Sequence, residues 1–122
     1  IVLRESVETP RDEEWDAFLA LLTKHKNEFS KMKILVVTDG GGPDAQQPKR
    51  LEKTLDGQSI RVAVVTDSAK SRFIAAIISL INRDHRGFAM KDMVEAYDHL
   101  RLTQDERQFA EMALRELTPM IH

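Results

Sequence analysis

Two short polar segments carry the residue types best suited to chemistry, and each directly follows an apolar run. The first segment consists of Thr38, Asp39, Gly40, Gly41 and Gly42. In the second segment, Asp67 and Ser68 are followed by side chains that could hold an anion: Lys70, Ser71 and Arg72. Glycine tolerates positive φ, and a helix N-terminus offers free N–H groups with a partial positive charge. The candidate binding site for a small anion, a nucleotide or a lipid therefore consists of the first segment together with Ser68, Lys70, Ser71 and Arg72 of the second.

More ordinary roles also explain these residues. Asp67 or Ser68 can cap a helix, which is what such residues usually do before a helical run, and the Lys70 and Arg72 side chains can be solvated. The triple glycine suits a turn. It lacks the lysine of a nucleotide P-loop, and its contiguous glycines do not fit the spaced dinucleotide fingerprint.

Catalytic and metal-binding patterns are weak. Asp39 and Asp67 could pair as metal ligands or as an acid–base pair, but no third acidic residue has a suitable spacing. The histidines lack ligand spacing, and there is no Gly-x-Ser-x-Gly elbow. We expect the four histidines in ordinary places. His25 is predicted at a polar helix end, His85 in a loop, His99 on an exposed helix face and His122 at the end of the sequence. We therefore expect no enzyme, no catalytic residue, no metal and no cofactor.

Composition narrows the class of protein. The 122 residues include 18 Lys and Arg against 20 Asp and Glu, a net charge of −2 that lacks the basic excess of a nucleic-acid binder. Cysteine is absent, which excludes disulfides, thiolate zinc sites and a cysteine nucleophile. No apolar run reaches the ~20 residues that span a bilayer, and no signal peptide opens the sequence. We expect one domain in the cytoplasm, without nucleic acid or a membrane span.

Apolar runs predict the strands. Two similar runs begin at Lys33 and Arg61, 28 residues apart, and both contain Val-Val-Thr-Asp. Continuous apolar runs are typical of strands buried on both faces of a parallel sheet, and the spacing suits a βαβ unit. Two more strands are predicted over residues 1–7 and 87–90, and a strand at the first residue suggests a hairpin partner upstream of Ile1.

Five helices are predicted around these strands. Thr9 and Pro10 indicate the start of the first, whose stripe contains Trp15, Phe18, Leu19 and Leu22. The second runs from about residue 44 or 48 to 55 with a thin apolar face, Leu51 and Leu55. The third, over 68–82, is the most apolar and is expected to be largely buried through Phe73, Ile74, Ile77, Ile78, Leu80 and Ile81.

The last two helices follow the final strand. Asp92 can cap the fourth helix, with Val94, Tyr97 and Leu100 facing inward. Thr103 and Glu106 form a capping box that starts the fifth helix, which extends to about Met120. One face of this helix is apolar, formed by Phe109, Met112, Ala113, Leu117 and Met120. We expect it to pack on its own domain, and the alternative is that it packs on a second chain.

The order βαβαβαβα with one added helix predicts an α/β domain with a central, mainly parallel sheet of four or five strands flanked by helices. This order, with VVTDGGGP at 36–43 and VVTDS at 64–68, resembles the STAS domain, the SpoIIAA-like fold of anti-sigma-factor antagonists. The resemblance covers residues 1–102, and residues 103–122 form an extra C-terminal helix. Since STAS domains begin with a β-hairpin, it also implies a first strand upstream of Ile1.

The resemblance implies a function as well. STAS domains are non-enzymatic regulatory modules that bind protein partners, often in signalling, and some bind a nucleotide or a lipid. Antagonists carry a phosphorylated serine in an Asp-Ser-x-Gly loop, where this chain has Asp39, Gly40, Gly41 and Gly42, so no phospho-switch is expected. We expect a protein-interaction module, with a protein partner or a second copy. The alternative is a binding module for a small anion, nucleotide or lipid at the strand-end loops.

Overall fold

Two apolar runs form the central strands of a parallel sheet in the computed structural model, which describes residues 2–5, 12–40 and 47–117. They are β2 (Lys33–Thr38) and β3 (Arg61–Val65), flanked by β1 (Val2–Glu5) and β4 (His85–Phe88). The strand order is β1-β2-β3-β4, and every neighbouring pair is parallel. The predicted α/β class with a parallel sheet is confirmed, although β4 begins two residues before the predicted strand.

Three helices connect the strands and two follow the sheet. The connecting helices are α1 (Asp12–Lys24), α2 (Gln47–Leu55) and α3 (Ala69–Ile78). After β4 come α4 (Met93–Leu100) and α5 (Gln104–Leu117). None of the helices in the described ranges is long and apolar enough to cross a membrane.

We call the side of the sheet under α1, α2 and α3 the crossover face. Its core joins Leu22, Leu55 and Ile78 of these helices to Ile34 and Val62 of the sheet. The thin face predicted for α2 is confirmed, because Leu51 and Leu55 are both buried. A short 3-10 helix, Lys26–Lys31, adds the buried Phe29, which lies in a stretch that the sequence marks only as polar.

We call the other side, under α4 and α5, the closing face. Leu35, Ala63 and Val65 of the central strands pack there against α4 and α5. The helices contribute two alanines to this contact, Ala96 and Ala110, beside the larger Tyr97 and Leu100. Alanine lets a helix backbone lie close to the sheet, so this face is packed by a mixture of small and large residues.

The start of α5 confirms the predicted capping box. Thr103 Oγ1 accepts a hydrogen bond from the Glu106 N–H (3.2 Å), and Glu106 Oε1 accepts one from the Thr103 N–H (2.9 Å). Lys33 Nζ also donates to Glu106 Oε1 at 2.8 Å. The hydrogen bond from Lys33, helped by that from Thr103, lowers the pKa of Glu106 to about 2. Asp92 precedes α4, but its side chain makes no capping hydrogen bond.

The prediction that the third helix is largely buried is wrong. Ala75 and Ile78 of α3 are buried, yet Phe73 is 67% exposed and Leu80, in the turn after the helix, 84%. The reason is the strand order: α3 packs on β4, the edge strand, and has no neighbour beyond it among the described elements. Only one side of this apolar helix therefore meets the sheet.

Two predictions for the later helices are also wrong. Tyr97 and Leu100 face inward as predicted, but Val94 is 62% exposed. Phe109 and Met112 of α5 are exposed as well, while Ala110 is buried and Leu114 packs on the closing face. The side of α5 with Ala110 and Leu114 meets the domain, and the side with Phe109 and Met112 faces outward. The Leu117 side chain and Met120 lie outside the described residues, as do Thr9 and Pro10.

Candidate functional site

The repeated Val-Val-Thr-Asp sequence builds the same turn twice at the ends of β2 and β3. The Gly40 N–H donates to Thr38 Oγ1 at 3.2 Å, and the Ser68 N–H donates to Thr66 Oγ1 at 3.0 Å. Both threonines are buried. Gly40 has a φ of 139°, which favours glycine. The repeat is thus explained by turn chemistry, in which a hydroxyl bonds the backbone two residues later.

The second candidate loop is held by local hydrogen bonds. Ser68 caps α3, since its side chain accepts a hydrogen bond from the Ser71 N–H at 3.2 Å. Asp67 Oδ1 accepts one from the Met90 N–H at 3.0 Å and so ties this loop to the segment after β4. Asp39, Lys70 and Arg72 have exposed side chains, and Gly41 and Gly42 lie outside the described residues. The capping role weighed for Ser68 is the one that the structure has.

Among the described residues, the strand order does not favour a ligand crevice of the usual α/β kind at this edge of the sheet. Such crevices lie where the strand order reverses and helices leave for opposite faces. Here the order runs β1-β2-β3-β4 without reversal. Within residues 2–5, 12–40 and 47–117, no group of three His, Asp or Glu side chains is arranged to hold a metal ion.

Two of the predicted site residues instead line a cavity on the crossover face. Thr38 and Ser71 contribute to a space of about 70 Å³ between the sheet and α1, α2 and α3. Apolar side chains supply most of the wall, including Leu22, Ile34 and Ile78. The remaining polar residues of the wall are Asn82 and His85, from the other end of α3 and the start of β4.

His85 is the least expected residue of this cavity. The sequence places it in a loop, but it lies in β4, is only 9% exposed, and pairs in register with Val62. Neither ring nitrogen has a hydrogen-bond partner within the described part of the chain. Burial, followed by the nearby His99, lowers the pKa of His85 to about 4. The ring is therefore neutral at pH 7, with one donor and one acceptor unused.

The other histidines have structural surroundings. His99, predicted on an exposed face, is half-buried, and its Nε2 lies 2.8 Å from the Asp84 carbonyl and 3.2 Å from that of Val62. With its proton assigned to Nε2, it donates to these carbonyls. His25 Nδ1 lies 3.4 Å from Glu28. His122 is outside the described residues.

A second feature is an exposed apolar stripe on α3, which we call the α3 patch: Phe73, Ile77 and Leu80. Their spacing puts them on one side of the helix, in line with the exposed Lys70. Residues 69–91 contain five basic residues and one acidic residue, but Arg86 lies over the Phe88 ring on the closing face. Lys70 is the charged residue that helix spacing places beside the stripe, so the α3 patch is an apolar stripe with a basic residue at its start.

A smaller stripe on α5, the α5 patch, has charge of the opposite sign beside it. It consists of Phe109, 64% exposed, and Met112. Asp105 and Glu116 are exposed and lie on the same side of the helix, one turn before and after the pair. The helix as a whole has four acidic residues and two basic ones. The sequence shows both charge patterns but not that either apolar stripe faces outward.

The two patches lie at opposite edges of the sheet. The α3 patch is beside β4 on the crossover face, and α5 contacts β1 at the other edge and covers the closing face. They therefore cannot cover one another within one copy of the chain. Comparison with protein-family models, with curated proteins and with solved structures finds no match to this chain. A function must therefore be proposed from its own geometry.

Proposed function

We propose that this chain is a non-enzymatic protein-interaction module, of the regulatory kind that the resemblance to STAS domains implies, and that it associates head to tail. The α3 patch of one copy binds the α5 patch of the next. The observation that carries the proposal is the opposite charge around two exposed apolar stripes.

Charge selects this pairing over the symmetric ones. Two α3 patches brought together would bring two copies of Lys70 into one interface. Two α5 patches would do the same with Asp105 and Glu116. Like charges across an interface cost several kcal/mol, whereas opposite charges increase the association rate and fix the orientation. Only the α3 patch against the α5 patch is complementary.

The position of the patches determines the form of the assembly. A contact between different surfaces of identical chains leaves one patch free at each end, so it extends into a ring or a filament. Burying a large apolar side chain stabilises by about 1.5–3 kcal/mol, while association costs ~4–15 kcal/mol in lost freedom. With so few anchors, we expect weak and reversible association, on the order of micromolar.

The alternative function, an anion, nucleotide or lipid module at the strand-end loops, has less support. The polar atoms that would have to face such a ligand are used locally, by the Ser68 cap and by the bond of Asp67 to Met90. A different protein with an acidic amphipathic helix would bind the α3 patch alone, and the experiment below separates that case.

Sedimentation velocity on three proteins tests the proposal. The average mass of the sedimenting species of the unmodified chain should increase with protein concentration. One variant combines Phe73→Ser with Leu80→Ser, and the other combines Phe109→Ser with Met112→Ser; each should remain monomeric alone. Mixed in equal amounts, the two variants should form a dimer, because one keeps its α5 patch and the other its α3 patch. Salt at about 0.5 M should weaken the contact.

Leu21→Ser is the matched control, since Leu21 is exposed on α1 outside both patches. It should associate like the unmodified chain, and circular dichroism should show that all variants fold. A chain that stays monomeric throughout would refute head-to-tail association. A mixture of the two variants that forms no dimer would refute it as well. If only the α3 variant lost association and the α5 variant kept it, the contact would be a symmetric one between α3 patches, which also contradicts the proposal.

A further inference from the structure

The cavity on the crossover face is lined by a buried polar group, the ring of His85. His85 is nine-tenths buried, and neither of its ring nitrogens has a hydrogen-bond partner among residues 2–5, 12–40 and 47–117. A buried polar group without a partner is unfavourable by about 1–3 kcal/mol, and such groups are rare in folded proteins. The position is therefore one where a bound molecule would complete the structure.

The remaining walls indicate what kind of molecule this is. Twelve of the sixteen lining residues are apolar. Asn82 is another polar member, but its Oδ1 already accepts a hydrogen bond from the Ile60 N–H at 3.0 Å. The Trp15 indole N–H donates to the Gln47 carbonyl at 3.0 Å. A cluster of waters needs two to four polar partners for each molecule, and walls of this composition suit them poorly.

Size and charge narrow the ligand further. Apolar cavities of about 150 Å³ take up benzene or xenon, so a space of about 70 Å³ suits a molecule of only a few heavy atoms. A carboxylate or an ammonium group would lose its hydration with no opposite charge in the wall. A hydroxyl group can both donate and accept, which matches the donor and the acceptor of a neutral histidine ring.

We propose that this cavity is a binding site for a small, uncharged, mainly aliphatic molecule with one hydroxyl group, and that His85 is its hydrogen-bond partner. The aliphatic part lies among Ile34, Val62 and Ile78, which line the cavity. The cavity does not include the residues of the two exposed patches, so a test of this site and a test of head-to-tail association can fail independently.

Methyl NMR with two probes, 1-propanol and xenon under pressure, tests the proposal. Both should shift the methyl signals of Ile74 and Ile78, which line the cavity, in a saturable way. The methyl signal of Ile77, exposed on the same helix, should not saturate. In the unmodified chain, 1-propanol should also change the ¹⁵N shifts of the His85 ring, because a ring nitrogen gains a partner.

Two variants separate the role of the histidine from that of the space. His85→Leu should weaken 1-propanol binding at least ten-fold but leave xenon binding, which needs only apolar walls. Ile74→Phe should fill the space and abolish both. Should His85→Leu not fold, the ring ¹⁵N shifts and Ile74→Phe still decide. Linear shifts without saturation, absence of xenon binding, or equal 1-propanol affinity in His85→Leu would each overturn the proposal.

Discussion

The two faces of the sheet differ in how their cores are packed and in how a buried histidine is bonded. The crossover face is covered by three helices with large side chains and keeps a cavity of about 70 Å³ with a histidine that has no hydrogen-bond partner among the described residues. The closing face combines three alanines, Ala63, Ala96 and Ala110, with larger side chains that include Phe88 and Tyr97. Its own histidine, His99, lies within hydrogen-bond distance of two carbonyls. The burial of a histidine side chain therefore does not tell whether its ring nitrogens have hydrogen-bond partners.

Chain connectivity accounts for part of this difference. Each helix of the crossover face is followed and preceded by a strand, so the sheet constrains both of its ends. On the closing face, α4 follows β4 and leads into α5, so a strand constrains it at one end only. The two faces therefore differ in how many ends of each covering helix the sheet fixes.

The largest effect that would sharpen the comparison is a loss of stability in mild acid caused by His85. Its pKa is lowered from 6.5 to about 4 by burial and then by His99, so the unfolded chain takes up a proton before the folded chain does. Stability should therefore fall as pH drops from about 6.5 to 4, by roughly 3 kcal/mol. Urea titrations at several pH values measure this.

His85→Phe is the control for that experiment, since it removes the titrating ring and keeps a large side chain. Its stability should change little between pH 6.5 and 4. Glu106 acts in a lower window: its pKa is depressed to about 2, so its stabilising contribution is lost only as pH falls from about 4.5 toward 2. If His85→Phe lost as much stability between pH 6.5 and 4 as the unmodified chain does, the buried, unpaired state of this ring would be contradicted.

A matched pair of alanines tests the packing of the two faces directly. Ala96 is fully buried in the closing face, so Ala96→Val should destabilise by about 1–3 kcal/mol through overpacking. Ala75 borders the cavity, and Ala75→Val should be milder by about 1–2 kcal/mol, because the added methyl groups enter existing space. Both residues are in helices, so the helical propensity of valine affects both equally. Equal losses in chemical denaturation would show that the faces do not differ.

The smallest effects concern the starts of the helices, where the two faces should behave alike. Ser68 caps α3 on the crossover face, and Thr103 caps α5 on the closing face. Replacing either by alanine should cost about 1 kcal/mol, whereas Ser68→Gly should cost only a few tenths. Thermal unfolding measures each. A loss several times larger at Ser68 would mean that its hydroxyl does more than cap the helix.

Elements with a local physical cause could be predicted from the sequence. The central strands follow from continuous apolar runs, and the start of α5 follows from Thr103 and Glu106, whose reciprocal bonds depend only on residues three apart. The burial of α3 could not be predicted. Its apolar residues surround much of the helix, and only the position of β4 at the edge decides that Phe73 and Leu80 face outward.

The cavity was beyond prediction for a related reason. Its lining residues come from all three connecting helices and from β2, β3 and β4, and no sequence spacing links them. The sequence predicts Thr38 in a strand-end loop and Ser71 at the start of the third helix, and both line the cavity with buried side chains. The sequence predicts a strand over residues 87–90 and leaves His85 in a loop, whereas pairing with Val62 begins the strand at residue 85.

The sequential strand order has a consequence for how the chain acquires its fold during synthesis. Because each strand pairs with the one before it, every βα unit can add to the sheet as soon as it has left the ribosome, and the crossover face is covered unit by unit. Among the described residues, those that cover the closing face lie at 93–117, after all four strands. The apolar side chains of β2 and β3 on that side, such as Leu35 and Val65, therefore wait for residues 93–117 to be made before these helices cover them. Transiently exposed apolar surface makes a nascent chain prone to aggregate, so slow synthesis of residues 93–117 should increase losses of nascent protein.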